Sequence, residues 1–249
     1  MAKVWLSIVG SAVFLTACLG TGPERNVRLA DIHRRLAVHE LHQNRPQGAI
    51  RELMKALQFD PENPDAHYTM AFILQGRRDA DKALEHLRTA IQLRPDFADA
   101  HNNLGSLLLE LDRHAEAMPH FKKALSVVTY ATPYLPHGNL GWAHFKLGDN
   151  KAAIRSLKTA LFHNPKFCLG HNNLGVVYAA AKQPVQAREH WEKALKLCPK
   201  YVEPLYRLGL SHLEDKRRDL ALVRFQSCEQ LSPESQFGQE CSRYSKLLK

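Results

Sequence analysis

The sequence predicts an all-α chain built as a solenoid of paired helices, and three observations carry that prediction. First, His101-Asn102-Asn103-Leu104-Gly105 recurs letter for letter at His171-Asn172-Asn173-Leu174-Gly175. His137-Gly138-Asn139-Leu140-Gly141 stands between the copies and a weaker echo, His67-Tyr68-Thr69-Met70-Ala71, precedes them, at intervals of 34, 36 and 34 residues. Second, the Gly or Ala that ends each copy is followed by paired alanines, at Ala83 and Ala90, Ala117 and Ala124, Ala153 and Ala160, and Ala187 and Ala194. Third, a bulky residue keeps the same register (Leu53, Leu87, Phe121, Leu157, Trp191, Phe225) and a proline closes most units, at Pro61, Pro95, Pro165, Pro199 and Pro233. Self-similarity at such a period marks stacked supersecondary units, each of which buries its apolar face only against its neighbours.

A small residue at position eight, small residues at twenty and twenty-seven, a bulky one at twenty-four and a closing proline resemble the tetratricopeptide repeat. That resemblance implies a right-handed superhelical solenoid of six helical hairpins plus a C-terminal capping helix. With the small eighth residue as phase, the repeats occupy 30–63, 64–97, 98–131, 134–167, 168–201 and 202–235. In each, the first helix covers about the first fourteen residues and the second runs on to the proline. The small positions mark helices that cross closely, and Cys228 fills the twenty-seventh position of repeat six. Two extra residues around Thr132-Pro133, with Thr129 in place of the usual proline, predict a longer turn or a bend between repeats three and four. The remainder, 236–249, is long enough for one more helix, with Gln239, Glu240, Ser242, Arg243 and Lys246 supplying the polar outer face a solenoid end needs.

The front of the chain is different. Lys3 precedes an apolar run from Val4 to Leu15 that ends in Leu15-Thr16-Ala17-Cys18. A basic start and an apolar core of this length read as a secretory signal, 1–17, too short to span a bilayer comfortably. The Leu-Thr-Ala-Cys ending resembles a bacterial lipobox, which implies cleavage before Cys18 and acylation of that residue. Leu19, where an inner-membrane lipoprotein would carry Asp, implies the outer membrane by the same resemblance. Residues 18–29, rich in Gly, Pro and polar side chains, read as a short flexible tether. Several acyl chains, at about 0.8 kcal/mol per buried methylene, would make the anchor effectively permanent.

A net charge of +9 raises nucleic acid as a partner. The basic residues are spread through the repeats, with no run longer than two except Lys216-Arg217-Arg218 at a turn, and an exported chain does not meet nucleic acid. The reading is a solvated basic surface with some attraction to anionic lipid.

Four cysteines remain beyond Cys18, in a chain read as exported to an oxidising compartment. Residues equidistant from a hairpin turn lie side by side. Cys168 and Cys198 are centred on Gln183, where repeat five turns, and Cys228 and Cys241 are centred between Glu234 and Ser235, where the last repeat meets the cap. The predicted bridges are therefore Cys168 with Cys198 and Cys228 with Cys241. No C-x-x-C or comparable spacing points to zinc. Histidine occupies the fourth position of five successive repeats, at His33, His67, His101, His137 and His171. Packed helices stand roughly 8–10 Å apart, too far for such a row to share one ion, so these rings read as packing against a neighbouring helix.

No G-x-S-x-G, H-E-x-x-H or G-x-x-x-x-G-K occurs, no catalytic, metal or cofactor site is expected, and binding is the remaining role. In a tetratricopeptide superhelix the first helices line the concave face. Positions five, six, nine, twelve and thirteen place Tyr68, Phe72, Asn102, Asn103, Leu109, Asn139, Trp142, Phe145, Asn172 and Asn173 there. Asparagine can donate to and accept from a peptide backbone, and the aromatics can take apolar side chains. The same asparagines could instead hydrogen-bond between repeats. A second candidate is the uncapped N-terminal edge, with Ile32, Leu36, Val38 and Leu41.

A lipobox, a short tether and six repeats with Asn-Asn-Leu-Gly first helices resemble the pilotin family of type IV pilus assembly, the PilF, PilW and Tgl lipoproteins. That resemblance spans the mature chain and implies an outer-membrane lipoprotein, lipid-anchored and facing the periplasm. It implies a protein partner, the outer-membrane secretin of the pilus machine, whose insertion and multimer assembly it promotes; nucleic acid and small-molecule substrates are not implied. The other reading is a general envelope scaffold that tethers peptidoglycan enzymes or an outer-membrane protein assembly machine.

Overall fold

A computed structural model describes residues 22–249; the predicted signal peptide 1–17 and lipid site Cys18 lie outside the described residues. Thirteen helices and no strand occur among the described residues. They are α1 (Gly22–His42), α2 (Pro46–Phe59), α3 (Pro64–Gly76), α4 (Ala80–Leu93), α5 (Ala98–Glu110), α6 (His114–Leu125), α7 (Tyr134–Lys146), α8 (Asn150–His163), α9 (Cys168–Ala180), α10 (Pro184–Leu197), α11 (Val202–Glu214), α12 (Arg218–Leu231) and α13 (Gln236–Leu248). Odd and even helices pair as antiparallel hairpins that stack on their sequence neighbours, with α13 closing the far end.

Each hairpin turns the same way. The residue at position fifteen takes positive φ in all six repeats: Asn44, Arg78, Asp112, Gly148, Lys182 and Lys216. Its N–H donates to the carbonyl three residues back, and the next N–H reaches five back, as in Lys216 to Leu213 and Arg217 to His212. This pair of bonds is the Schellman closure of a helix, which satisfies otherwise orphaned carbonyls in a very short connection.

The small positions are contact points. Every alanine at positions twenty and twenty-seven is fully buried, as is Cys228. Position eight faces position twenty-four: a Cβ on Gly209 would come within 2.5 Å of the Phe225 ring, and one on Gly175 within 2.5 Å of the Trp191 indole. A Cβ on Gly141 would likewise come within 2.5 Å of Leu157, whereas repeats one and two set Ala37 and Ala71 opposite Leu53 and Leu87. Position seven seals each repeat onto the one before, with Leu104, Leu140, Leu174 and Leu208 all buried.

One sequence expectation needs adjustment, and the longer turn expected between repeats three and four is present. The tether at 18–29 is helical from Gly22 onward, so α1 overhangs repeat one by about two turns. Pro23 suits a first helical turn, Glu24 complements the amino-terminal dipole, and Arg25 to Leu29 contain no breaker. Between α6 and α7 the connection covers 126–133, against 94–97 and 164–167 at regular junctions, so the inserted residues are absorbed as a longer turn. Pro119 inside α6 also removes one backbone donor from that helix.

Disulfides close the C-terminal half. Cys168 and Cys198 are bonded with Cα atoms 6.1 Å apart, tying the two ends of the fifth hairpin. Cys228 and Cys241 are bonded at 6.0 Å, tying α12 to α13. Ser235 caps α13 by accepting from the Gly238 N–H at 3.1 Å. Tyr244 stacks on Phe225 with ring centroids 4.8 Å apart, while Gln239, Arg243 and Lys246 face solvent.

Candidate partner-binding surface

The first helices line one face of the solenoid, and their register divides it into a polar row and an apolar row. Positions two, five and six carry the polar row, and its members largely bind one another. Asn103 donates to the Tyr68 hydroxyl at 3.2 Å, Asn139 donates to Asn102 at 3.2 Å and to Ser106 at 2.9 Å, and Asn172 donates to Glu203 at 3.2 Å. Each of these bonds joins adjacent repeats. Asn102 and Asn172 are only 6% and 1% exposed, so they belong to the seams rather than to an open peptide site. The physical reason is that an amide at the crossing of two first helices finds its nearest partner on the neighbouring helix. Asn103, Asn139 and Asn173 stay partly exposed. Arg207 grips Glu203 at 3.0 Å, and Tyr201 donates to the same carboxylate at 3.4 Å. Burial, and then the charge of Glu203, push the Tyr201 phenol upward.

Positions nine and twelve carry most of the apolar row, which opens into two grooves, and position thirteen adds rim residues such as Glu110 and Glu214. The first, about 490 Å³, is lined by Leu41, Pro46, Phe72 and Ile73, with Arg77 and Glu110 at its rim. Phe72 is 57% exposed there. The second, about 550 Å³, lies between Phe145, Val176, Trp191 and Leu210, with Arg207 and Glu214 at its rim. Trp142 leans on Phe145 at 5.2 Å, and Leu109 packs into the core between the grooves. The Trp191 indole N–H, at the floor of the second groove, is buried without an acceptor. Each groove spans three consecutive first helices and offers apolar walls with a charged rim, which fits an extended or helical protein segment.

Sequence reasoning missed Val176 and Leu210. They stand at the ninth position, as Phe72 and Trp142 do, and the register alone would have found them. The N-terminal edge divides in two. Leu41 packs against the core and lines the first groove, whereas Ile32 and Leu36 are 51% and 45% exposed. Leu41 is five residues beyond Leu36, about 140° around the helix, so one surface cannot present both. Val38 is partly buried between them.

The histidine row has a partner row that the period concealed. His67, His101 and His171 accept position-23 partners nineteen residues on, with Nδ1 to Nδ1 distances of 2.8 Å to His86, 3.2 Å to His120 and 2.9 Å to His190. The other nitrogen, Nε2, donates to the carbonyl of the proline closing the previous repeat, at Pro61, Pro95 and Pro165. That bond fixes the tautomer, so Nδ1 accepts and the partner ring donates. In repeat one the partner is Glu52, 2.6 Å from His33, and in repeat four His137 stacks on His163 at 5.5 Å. Burial, followed by the neighbouring His171, lowers His190 to about 4. Burial, followed by the facing His67 and His101 rings, lowers His86 and His120 in turn. Among the described residues no group of three or more His, Cys, Asp or Glu side chains is placed to hold a metal ion.

Tetratricopeptide repeat profiles match residues 68–136, 136–161 and 168–201, together about half of the chain. Among solved structures the chain is similar to PilW, described as a widely conserved type IV pilus biogenesis factor. The identity is 28% and the TM-score 0.79, covering 86% of this chain and 98% of PilW. PilF of Pseudomonas aeruginosa superposes at a TM-score of 0.75 with 22% identity, covering 90% and 99% of the two chains. Human tetratricopeptide repeat protein 6 is 27% identical over 158 residues; the match takes in 64% of this chain and spans 30% of that relative's length. The hairpin register, the small-residue contacts and these matches together make the chain a member of the tetratricopeptide repeat family.

Proposed function

We propose that this protein is a pilotin of the type IV pilus, a Tgl-type outer-membrane lipoprotein that holds secretin subunits through its concave grooves and promotes their insertion and assembly into the multimeric channel. The observation that carries this reading is the near end-to-end likeness to PilW at 28% identity. The Leu15-Thr16-Ala17-Cys18 sequence supports the anchor. No helix among the described residues is long and apolar enough to cross a membrane; in this proposal the acylated Cys18 anchors the solenoid to the bilayer. The physical contribution is twofold. An anchored binder confines its partner to the membrane surface and raises its effective concentration, and an apolar groove covers the partner's apolar segment until oligomerisation buries it.

The grooves, rather than the buried asparagines, are the contact surface in this proposal. Phe72→Asp in the first groove and Phe145→Asp in the second place an unpaired carboxylate where an apolar side chain would sit. Secretin multimers, read by immunoblot, should fall severalfold in at least one variant while the protein remains at normal abundance. Normal multimers in both variants would reject the groove assignment. Deleting the gene separates the classes: loss of secretin multimers and surface pili alone supports the pilotin, whereas broad envelope defects would favour a general scaffold. Labelled palmitate that fails to attach in the wild type, or still attaches in Cys18→Ala, would remove the lipid anchor.

A further inference from the structure

The exposed side of α1 is a repeat interface with nothing on it. At the third position the inner repeats place a small or cyclic residue, as at Ala66, Ala100 and Gly170, and bury it against the preceding hairpin. Repeat one has Ile32 there, 51% exposed, and Leu36 at the otherwise sealed seventh position, 45% exposed. A helix seated on this face would need a small residue where Ile32 projects. The bulk of Ile32 therefore argues against another hairpin as the cover.

Charge narrows the occupant further. Arg25, Arg28 and Arg35 fall on the same face as Ile32 and Leu36 at helical spacing, and all three are exposed. Of the acidic residues in α1, Asp31 is held by Arg34 and Arg35 at 2.7 Å each, Glu40 is held by Arg45 at 2.9 Å, and Glu24 stands at the flank. A second copy brought edge to edge would set arginines against arginines. A bilayer accepts both features: aliphatic side chains enter the acyl region while guanidinium groups meet phosphate. The position in the chain agrees, because α1 starts four residues after Cys18, the proposed acylation site. Four residues reach at most about 14 Å.

We infer that the outward face of α1 is a membrane-docking surface that seats repeat one on anionic phospholipid. It adds to the proposed anchor and does not depend on it, so it is tested without acylation. The chain from residue 18 on, carrying Cys18→Ser, has its packed helices from Gly22 onward and no acyl chain. Its cosedimentation with phosphatidylcholine vesicles is compared with and without added phosphatidylglycerol. Binding should be at least about tenfold tighter with phosphatidylglycerol and should weaken as salt is raised. Replacing Arg25, Arg28 and Arg35 together by Gln should bring it down to the phosphatidylcholine level. Ile32→Asp and Leu36→Asp should each weaken it by about tenfold, with an unchanged thermal unfolding curve. Equal binding to both vesicle types, or indifference to the Ile32 and Leu36 changes, overturns the inference. So does a dimer in sedimentation velocity that Leu36→Asp dissolves, which would assign the face to a second copy. Because no secretin is present, failure here leaves the groove proposal standing, and a failed secretin assay leaves this result standing.

Discussion

The two ends of the solenoid solve one problem in opposite ways. At the C-terminal end, α13 lays Phe237, Tyr244 and Leu248 over Phe225 and Tyr206, and the Cys228–Cys241 bridge holds it in place. At the N-terminal end the equivalent interface positions are filled by large aliphatics and left open. In an array whose repeats touch only their neighbours, every internal residue at positions three and seven serves packing. Only at an end can such a residue be given to something else, so the uncovered end is where a repeat sequence becomes informative about its surroundings.

The sharpest way to break this comparison is one substitution at one register position in two repeats. Leu208→Ala removes a fully buried side chain and should cost about 2–5 kcal/mol of unfolding free energy. Leu36→Ala, at the same position in repeat one, should stay within about 0.5 kcal/mol. Urea unfolding of the two variants measures both. Equal losses would mean that the N-terminal edge is covered after all.

Next in size is the cap itself. Replacing Cys228 and Cys241 by Ser releases a loop closed over a sequence separation of 13 and should cost about 3 kcal/mol. Amide exchange should show α13 losing protection before any other helix, while α1 and α2 keep theirs. If α13 stays as protected as α11, stacking of Tyr244 on Phe225 suffices without the bridge.

The histidine pairs extend the comparison to pH. His190 titrates near 4 in the folded chain against an ordinary 6.5, so the unfolded chain binds more protons between those values. Stability is then complete above about pH 6.5 and is lost as pH falls toward 4, by roughly 2–3 kcal/mol for this one ring. In repeat one, Lys55 and then His33 hold the Glu52 carboxyl below its ordinary value. That contribution is present at pH 5 and disappears only as the carboxylate itself protonates. His190→Glu, which copies the repeat-one pairing into repeat five, should therefore flatten the loss between pH 6.5 and 5 in a series of urea midpoints. An unchanged slope would show that the pair does not govern acid sensitivity.

These contrasts also mark what the sequence could and could not reveal. The period exposed the hairpins, because small and bulky residues at fixed spacing are themselves the contact between helices. Cys168 and Cys198, equidistant from a hairpin turn, followed from the same register. The asparagines were ambiguous, since one amide serves a peptide or a neighbouring helix equally well, and only the distance from Asn139 to Asn102 and Ser106 decides. The second histidine row at His86, His120 and His190 was hidden because it does not recur in every repeat. The helical overhang at Gly22–Leu29 is not legible in the sequence, because Gly and Pro signal a linker and a helix start alike.

The smallest effect concerns the turn that all six repeats share. Lys216 has φ 62° and Asn44 has φ 55°, both in the left-handed region, and only repeat four uses glycine there. A left-handed conformation costs an ordinary side chain about 1–2 kcal/mol, whereas Asn is tolerated because its short amide bonds locally. Glycine removes that cost but adds freedom to the unfolded chain, which returns roughly 0.5–1 kcal/mol. Lys216→Gly should therefore stabilise by about 0.5–1 kcal/mol, raising the melting temperature by roughly 1–4 °C in a chain of this size. Asn44→Gly, starting from a residue already suited to the turn, should gain close to nothing. An equal gain at both positions would mean that the turn is not the source of strain in repeat six, and the difference between the two ends would then rest on packing alone.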